Sequence, residues 1–267
     1  MSTTAICTDS SALLPARVAD LGIEVVPIGI TLDGEPFDER AQPIDDFYER
    51  LIDGVEVTTS QPSPSDFTDA YAKLAARGAR RVLSIHLDAR VSGTTSSAEL
   101  AAREARVPVR VVDTRTVSFG VGVCVRAAAE ALAAGGSAGD AVAAAVRLGT
   151  AMRNVFVAHR GPGGRVPELQ GWSVRTFADG RTLPIAACDN ADETVDSMAA
   201  HMLGGEALIR AAVGHAAEVV EARADDLADM LARSSLVLGV ERYRVGAAVG
   251  AHTGPVAFGA FWWAAEV

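Results

Sequence analysis

Three short polar segments hold residue types suited to gripping a small anion. The first, Thr59-Ser60-Gln61-Pro62, sets two adjacent hydroxyls on a backbone stiffened by Pro62 and Pro64. Proline fixes φ and so limits the conformations lost on binding. The second, Ser92-Gly93-Thr94, flanks a glycine with hydroxyls at an expected helix start. Free N–H groups and the helix dipole favour negative charge there. The third, His252-Thr253-Gly254-Pro255, is expected between two C-terminal strands. Each segment also has an ordinary reading, since Ser and Thr before a helix are common caps and His-Thr-Gly-Pro is a common turn. Ser96 and Glu99 have capping-box spacing, which leaves Ser92 unneeded as the principal cap. The combination matters more than any one loop, because hydroxyls from two loops beside strand ends can hold one anionic group.

Other chemistries fit the residues less well. A serine hydrolase would use Ser92 as nucleophile, His252 as base and Asp113 as orienting acid, but no G-x-S-x-G elbow is present. The glycines at Gly120-Val-Gly122 and Gly161-Pro-Gly-Gly164 complete neither a P-loop nor G-x-G-x-x-G, and read as close helix packing and a turn. The five histidines show no i, i+4 pair or HExxH pattern, and His86 reads as a core histidine or one facing a strand end. Cys7, Cys124 and Cys188 lie far apart, without CxxC spacing, as small buried hydrophobes would. No metal or cofactor is expected.

The elements that must carry these loops alternate. Thr4–Thr8 reads as a strand, followed by a turn at Asp9-Ser-Ser11 and a helix from Leu13 to Leu21. Ile23–Leu32 is an apolar run broken at Pro27 and ended by Asp33-Gly34. A helix is expected over Ile44–Gly54, with Phe47, Leu51 and Ile52 on one face. Thr58–Pro64 carries too much proline to be regular, and Ser65 is the expected cap of a helix ending at Arg77. Strands at Arg81–Leu87 and Val109–Asp113 alternate with helices from Gly93 to about Arg106 and through Ala127–Ala134. Such a rhythm predicts a mostly parallel sheet covered by helices, with ligands at the carboxyl ends of its strands. Beyond Arg153 come a glycine-rich stretch at His159–Gly164, a hairpin turn at Ala178-Asp-Gly-Arg181, and helices near Glu193–Met202 and Ala222–Arg233. Strands are expected over Ser235–Gly239, Val245–Ala251 and Val256–Ala264.

The expected architecture is α/β. A three-layer α/β/α domain with a mainly parallel sheet spans residues 1–153, and a two-layer α/β domain with a mixed sheet spans 154–267. Hydrophobic residues make up 49 % of the 267 but aromatics only 5 %, so Ala, Val and Leu must fill the core. The formal charge of -10 argues against nucleic acid, which requires a basic surface. No apolar run approaches the ~18–20 residues that cross a bilayer. Met1–Asp9 lacks a basic run before an apolar block, so the expected location is the cytoplasm.

Taken together, the motifs resemble the DegV family, whose characterised members bind long-chain fatty acids. The resemblance runs through Thr8-Asp9-Ser10-Ser11, Val25-Val26-Pro27-Ile28, Thr59-Ser60-Gln61-Pro62-Ser63, Ser92-Gly93-Thr94, Val111-Val112-Asp113-Thr114, Gly120-Val121-Gly122 and Gly250-Ala251-His252-Thr253-Gly254-Pro255. It implies a non-enzymatic lipid carrier. The acyl carboxylate would meet Thr59 or Ser60 and Ser92, supported by Gly93 or Thr94, with His252 near the head group. The tail would lie between the domains, and a separate dihydroxyacetone-kinase-like fatty acid kinase subunit would phosphorylate the carboxylate. Magnitudes agree with that picture. Charge-assisted hydrogen bonds contribute roughly 1.5–3 kcal/mol each. Each buried CH₂ adds about 0.8 kcal/mol, so a sixteen-carbon chain gains on the order of 10 kcal/mol gross. Three stretches depart from the family pattern. Acidic Asp189–Glu193 replaces the usual basic residues, His159-Arg-Gly-Pro162 precedes the Gly163-Gly164-Arg165 turn, and Val256 stands where glycine is usual.

Overall fold

The computed structural model describes residues 4–14, 22–158, 172–205 and 207–265. The glycine-rich stretch at 159–164, the 163–165 turn and most of the helix expected after Leu13 lie outside the described residues. Two compact units are present. The first comprises Met1–Gly29 and Ser60–Thr150, the second Ile30–Thr59 and Ala151–Val267.

In the first unit, β1 (Thr4–Asp9), β2 (Glu24–Val26), β6 (Arg81–His86) and β7 (Val109–Asp113) form a four-stranded sheet in the order β2-β1-β6-β7. Every pairing is parallel. Cys7 and Val82 join Phe67, Tyr71, Leu74, Ala98 and Ala101 in one core, which draws on α2 (Pro64–Ala76) and α3 (Thr94–Ala102). Successive strand residues point to opposite faces. Ile6, Leu83 and Ile85, from the alternate positions, are equally buried. α4 (Phe119–Ala133) packs on β1 and β6, and α5 (Ala138–Ala151) follows it. The three-layer α/β/α arrangement is the expected one.

In the second unit, a mixed sheet runs in the order β10-β9-β8-β13-β11-β12. Its strands are β8 (Arg153–Val157), β9 (Trp172–Ala178), β10 (Arg181–Cys188), β11 (Ile209–His215), β12 (Val237–Arg244) and β13 (Phe258–Ala264). Among the described residues of this sheet, only β11 and β12 pair in parallel. Met198, Met202, Leu227 and Leu231, on α6 (Ala191–Leu203) and α7 (Glu221–Ala232), pack with Val155, Val213 and Phe258 of the sheet. The hairpin between β9 and β10 turns at Asp179 and Gly180, both with positive φ of 50° and 74°.

Four local expectations change. Thr58–Ser60 is regular: it belongs to β5 (Val57–Ser60), in a three-stranded sheet with β3 (Gly29–Leu32) and β4 (Glu35–Pro36). The irregular stretch starts only at Gln61. Ser63, not Ser65, caps α2, in a capping box with Asp66 and with Pro64 in the first turn. Ile52 is 46 % exposed at the end of α1 (Ile44–Ile52), while Tyr48 takes the buried position beside Phe47 and Leu51. Val245–Ala251 is not a strand; most of it lies in helix α8 (Ala247–Thr253), because Ala-Ala-Val-Gly-Ala packs a helix as readily as a strand.

Residues 30–59, which a linear division places in the N-terminal domain, lie with the second unit. Specific contacts hold them there. The Tyr48 hydroxyl donates to Val245 O at 2.8 Å, and Arg244 bonds the Asp45 carboxylate at 2.5 Å. A Cβ on Gly250 of α8 would fall 2.5 Å from Tyr48 Oη and 3.0 Å from Phe47 Cε1, so the glycine admits both rings.

Candidate functional site

The carboxyl ends of β1, β6 and β7 feed the polar loops of the first unit. His86 ends β6, and six residues later the chain reaches Ser92-Gly93-Thr94 at the start of α3. Gly93 is the N-cap and gives no side-chain bond. The expected Ser96 box is absent, since Ser96 lies within the helix; Ser92 Oγ instead accepts from Thr94 N–H at 3.2 Å. Ser92 Oγ and Thr94 Oγ1 are 2.8 Å apart, with either able to donate. Thr94 is fully buried and Ser92 half-buried. Buried hydroxyl hydrogens are used. That favours Thr94 as the donor to Ser92, leaving the Ser92 O–H to donate outward.

The loop before it is anchored by Asp88, which is fully buried. Arg90 grips its carboxylate through Nε at 2.9 Å and a second nitrogen at 2.7 Å. Burial alone pushes the Asp88 carboxyl up, but the Arg90 bonds outweigh it and hold the acid below its ordinary range.

Thr59 and Ser60 project from opposite faces of β5, as neighbours in a strand must. Thr59 Oγ1 lies 3.0 Å from His252 Nε2, both in the second unit. His252 sits in the last turn of α8, which Gly254 ends at φ 82°, rather than between strands. Ser60 belongs to the first unit, with its Oγ packed over Gly29, where a Cβ would leave it no room. The next residue, Gln61, reaches α3 and donates from Nε2 to Ser97 Oγ at 3.2 Å. Thus Ser92 meets Thr94, Thr59 meets His252, and Gln61 joins the first two expected loops; Gln61 was not singled out as a site residue.

Sequence reasoning also missed a buried polar chain at the same strand ends. Tyr71 Oη meets Ser84 Oγ at 2.9 Å, Ser84 Oγ meets His86 Nε2 at 2.7 Å, and His86 Nδ1 meets Asp9 Oδ2 at 2.9 Å. Asp9 Oδ1 accepts from Ser11 Oγ at 2.5 Å and from Ser11 N–H at 3.1 Å. The connectivity is that of a Ser-His-Asp triad. Ser84, His86 and Asp9 are all fully buried, however, and Tyr71 shares the serine hydroxyl, so no substrate reaches it. The chain braces the strand ends. Thr8 Oγ1 donates to Ile85 O, Ser10 Oγ accepts from Ile28 N–H, and Thr114 Oγ1 donates to His86 O. The Thr8–Ser11 motif and Thr114 therefore tie strands together. A signal existed in the polar residues of the otherwise apolar run Arg81–His86, but the partners lie 77 positions away in sequence.

The hydrolase alternative gains nothing from these contacts. Ser92 pairs with Thr94, His252 with Thr59, and Asp113 accepts from Arg115 N–H at 2.8 Å. Burial pushes the Cys7 and Cys124 thiols up to about 12, which leaves both unreactive as nucleophiles. Among the described residues no group of His, Cys, Asp and Glu is placed to hold a metal.

A helix-covered parallel sheet with hydroxyl-bearing loops at its strand ends in one unit, and a mixed sheet in the other, make this a two-unit α/β protein. The chain belongs to the DegV family. Residues 3–265 match that family, described as "Uncharacterised protein, DegV family". A DegV domain-containing protein of Streptomyces coelicolor is 36 % identical over 269 residues, covering 94 % of this chain and 95 % of its own. The structure of a fatty-acid-binding DegV family protein from Thermus thermophilus superposes with a TM-score of 0.87 at 29 % identity, covering 98 % of this chain and 99 % of that one. A DegV lipid-binding protein from Thermotoga maritima gives 0.86 at 25 % identity, with 98 % of each chain covered. No helix among the described residues is long and apolar enough to cross a membrane.

Proposed function

We propose that this protein binds a long-chain fatty acid and presents its carboxylate, unmodified, to a separate fatty acid kinase subunit of the dihydroxyacetone-kinase-like type. The observation that carries the binding reading is the fold shared over 98 % of the chain with a fatty-acid-binding DegV protein. The local chemistry supports it. The Ser92–Thr94 pair offers a hydroxyl donor at the positive end of α3, with the Gly93 turn beside it. A carboxylate accepts such donors, and the dipole favours its charge. In this reading Ser60, of the same unit, supports it. The acidic stretch Asp189–Glu193 has a structural role that accounts for two of its residues. Asn190 caps α6 by accepting from Glu193 N–H at 3.0 Å, and Glu193 accepts from Asp189 N–H at 2.9 Å.

Native mass spectrometry of freshly purified protein, before and after organic extraction, tests the reading directly. An adduct of fatty-acid mass that vanishes on extraction is expected. Its absence, together with no uptake of added palmitate, would overturn the reading. Ser92→Ala tests the head-group assignment. It is expected to weaken binding of palmitate about tenfold or more, and of hexadecanol less, because a charge-assisted bond is lost. Equal losses would reject Ser92 as a carboxylate contact. Kinase presentation is checked with a fatty acid kinase subunit and ATP, where acyl-phosphate formation should require this protein.

A further inference from the structure

Gly93 poses a question that its backbone does not answer. Its φ of -75° and ψ of 4° suit any residue, so no conformational demand calls for glycine. The space above its Cα is what excludes a side chain. The three atoms nearest to a Cβ built there all belong to Gln61: Oε1 overlaps it, Cδ is 2.5 Å away and Nε2 is 2.8 Å away. The Gln61 amide lies across the bare glycine, and its Nε2 donates to Ser97 Oγ one turn into α3. Both loops and the helix belong to the same unit. The amide therefore fastens the chain leaving β5 to the helix start at which Ser92 and Thr94 bond each other.

We propose that Gln61 is a positioning residue, whose amide, seated on Gly93, holds the Ser92-Gly93-Thr94 turn in the geometry that offers the Ser92 hydroxyl to a carboxylate. This rests on the fatty-acid reading above. It adds that the glutamine of one loop and the glycine of the other are a single packing unit, so that neither can change alone without moving the donor. A glycine kept for backbone freedom, or a glutamine that merely solvates the surface, would show no such dependence.

A double-mutant cycle of Gln61→Ala and Gly93→Ala separates these possibilities. The atoms that a new Cβ would strike are the end of a flexible side chain, so Gly93→Ala folds by swinging Gln61 aside. Each single variant is expected to lose palmitate affinity by about tenfold while hexadecanol affinity changes by no more than about twofold. The double variant should bind palmitate no worse than Gln61→Ala, because the new methyl enters space that the amide has vacated. Additive losses, or equal losses for acid and alcohol, would overturn the proposal. The same cycle in urea unfolding of the ligand-free protein keeps the two readings apart. If the wild type binds neither palmitate nor hexadecanol, the functional reading falls and the positioning role with it. Non-additive unfolding would then establish only the packing unit. Should Gly93→Ala fail to fold, rescue by Gln61→Ala supports the clash, and a double variant that also fails to fold rejects it.

Discussion

Replacing Asp9 with asparagine keeps the shape of the side chain and removes half of its accepting capacity, so it measures what the buried polar chain contributes. The carboxylate accepts from Ser11 N–H, from Ser11 Oγ and from Leu87 N–H at 3.1, 2.5 and 3.4 Å, and it faces His86 Nδ1 at 2.9 Å. In Asp9→Asn the oxygen can still serve Ser11, but the new NH₂ meets Leu87 N–H donor to donor. His86 must then accept at Nδ1 and donate from Nε2 to Ser84, which reverses the direction of the chain. The part-buried Leu87 N–H loses its acceptor, and the bonds to His86 and Ser11 lose their charge assistance. At about 1–3 kcal/mol per orphaned or charge-assisted group, the sum is about 3 kcal/mol. All three tryptophans, Trp172, Trp262 and Trp263, lie in the second unit, whereas Asp9 lies in the first. Urea unfolding followed by circular dichroism reads the whole chain, and tryptophan fluorescence reads the second unit. The circular dichroism midpoint should fall by the amount corresponding to about 3 kcal/mol. A change below about 1 kcal/mol would refute the reasoning, because it would show that an uncharged relay serves as well as the carboxylate.

Three further outcomes follow from other contacts. Burial first, then Arg244 and Arg242 against the opposing Glu221, pushes the His215 imidazole below its ordinary 6.5. The folded state therefore resists a proton that the unfolded chain accepts, and stability should fall as pH drops below about 6.5. His215→Gln should flatten that slope in unfolding measured from pH 7.5 to 5. Gly122→Ala would set a Cβ against the carbonyl oxygen of Ala12, a backbone atom that cannot swing away. Despite a gain in helix propensity of about 1 kcal/mol, it should cost about 2 kcal/mol net or more in thermal unfolding. A fluorophosphonate probe should label neither Ser84 nor Ser92 in the native protein, and labelling of either, seen by peptide mass spectrometry, would restore the hydrolase reading.

Where periodicity and local chemistry dominate, the sequence was a sufficient guide. The strands at Arg81–His86 and Val109–Asp113, the turn at Asp179-Gly180 and the helices α6 and α7 follow from apolar runs and glycine alone. It failed where two structures share one pattern. Val245–Ala251 is apolar and small throughout, a pattern open to helix or strand, and the helix sets Gly250 against the rings of Phe47 and Tyr48. Residues 30–59 also defeated a linear division, because their attachment depends on Tyr48 and Asp45 finding Val245 and Arg244, about 200 positions on.

The polar loops show the same limit more sharply. Thr59 and Ser60 are interchangeable on paper, yet strand alternation sends Thr59 to His252 and Ser60 over Gly29. Glycines 93, 122 and 250 all stand out as motif residues, and none of the three has a positive φ to explain it. Each is bare because another group occupies the place of its side chain: an amide, a carbonyl oxygen and a phenol. Such a cause belongs to a pair of residues far apart in the chain, so it becomes readable only when both members are placed. That is why Gln61 passed as an ordinary loop residue beside its hydroxyl neighbours. Its meaning lies in Gly93, and the meaning of Gly93 lies in Gln61.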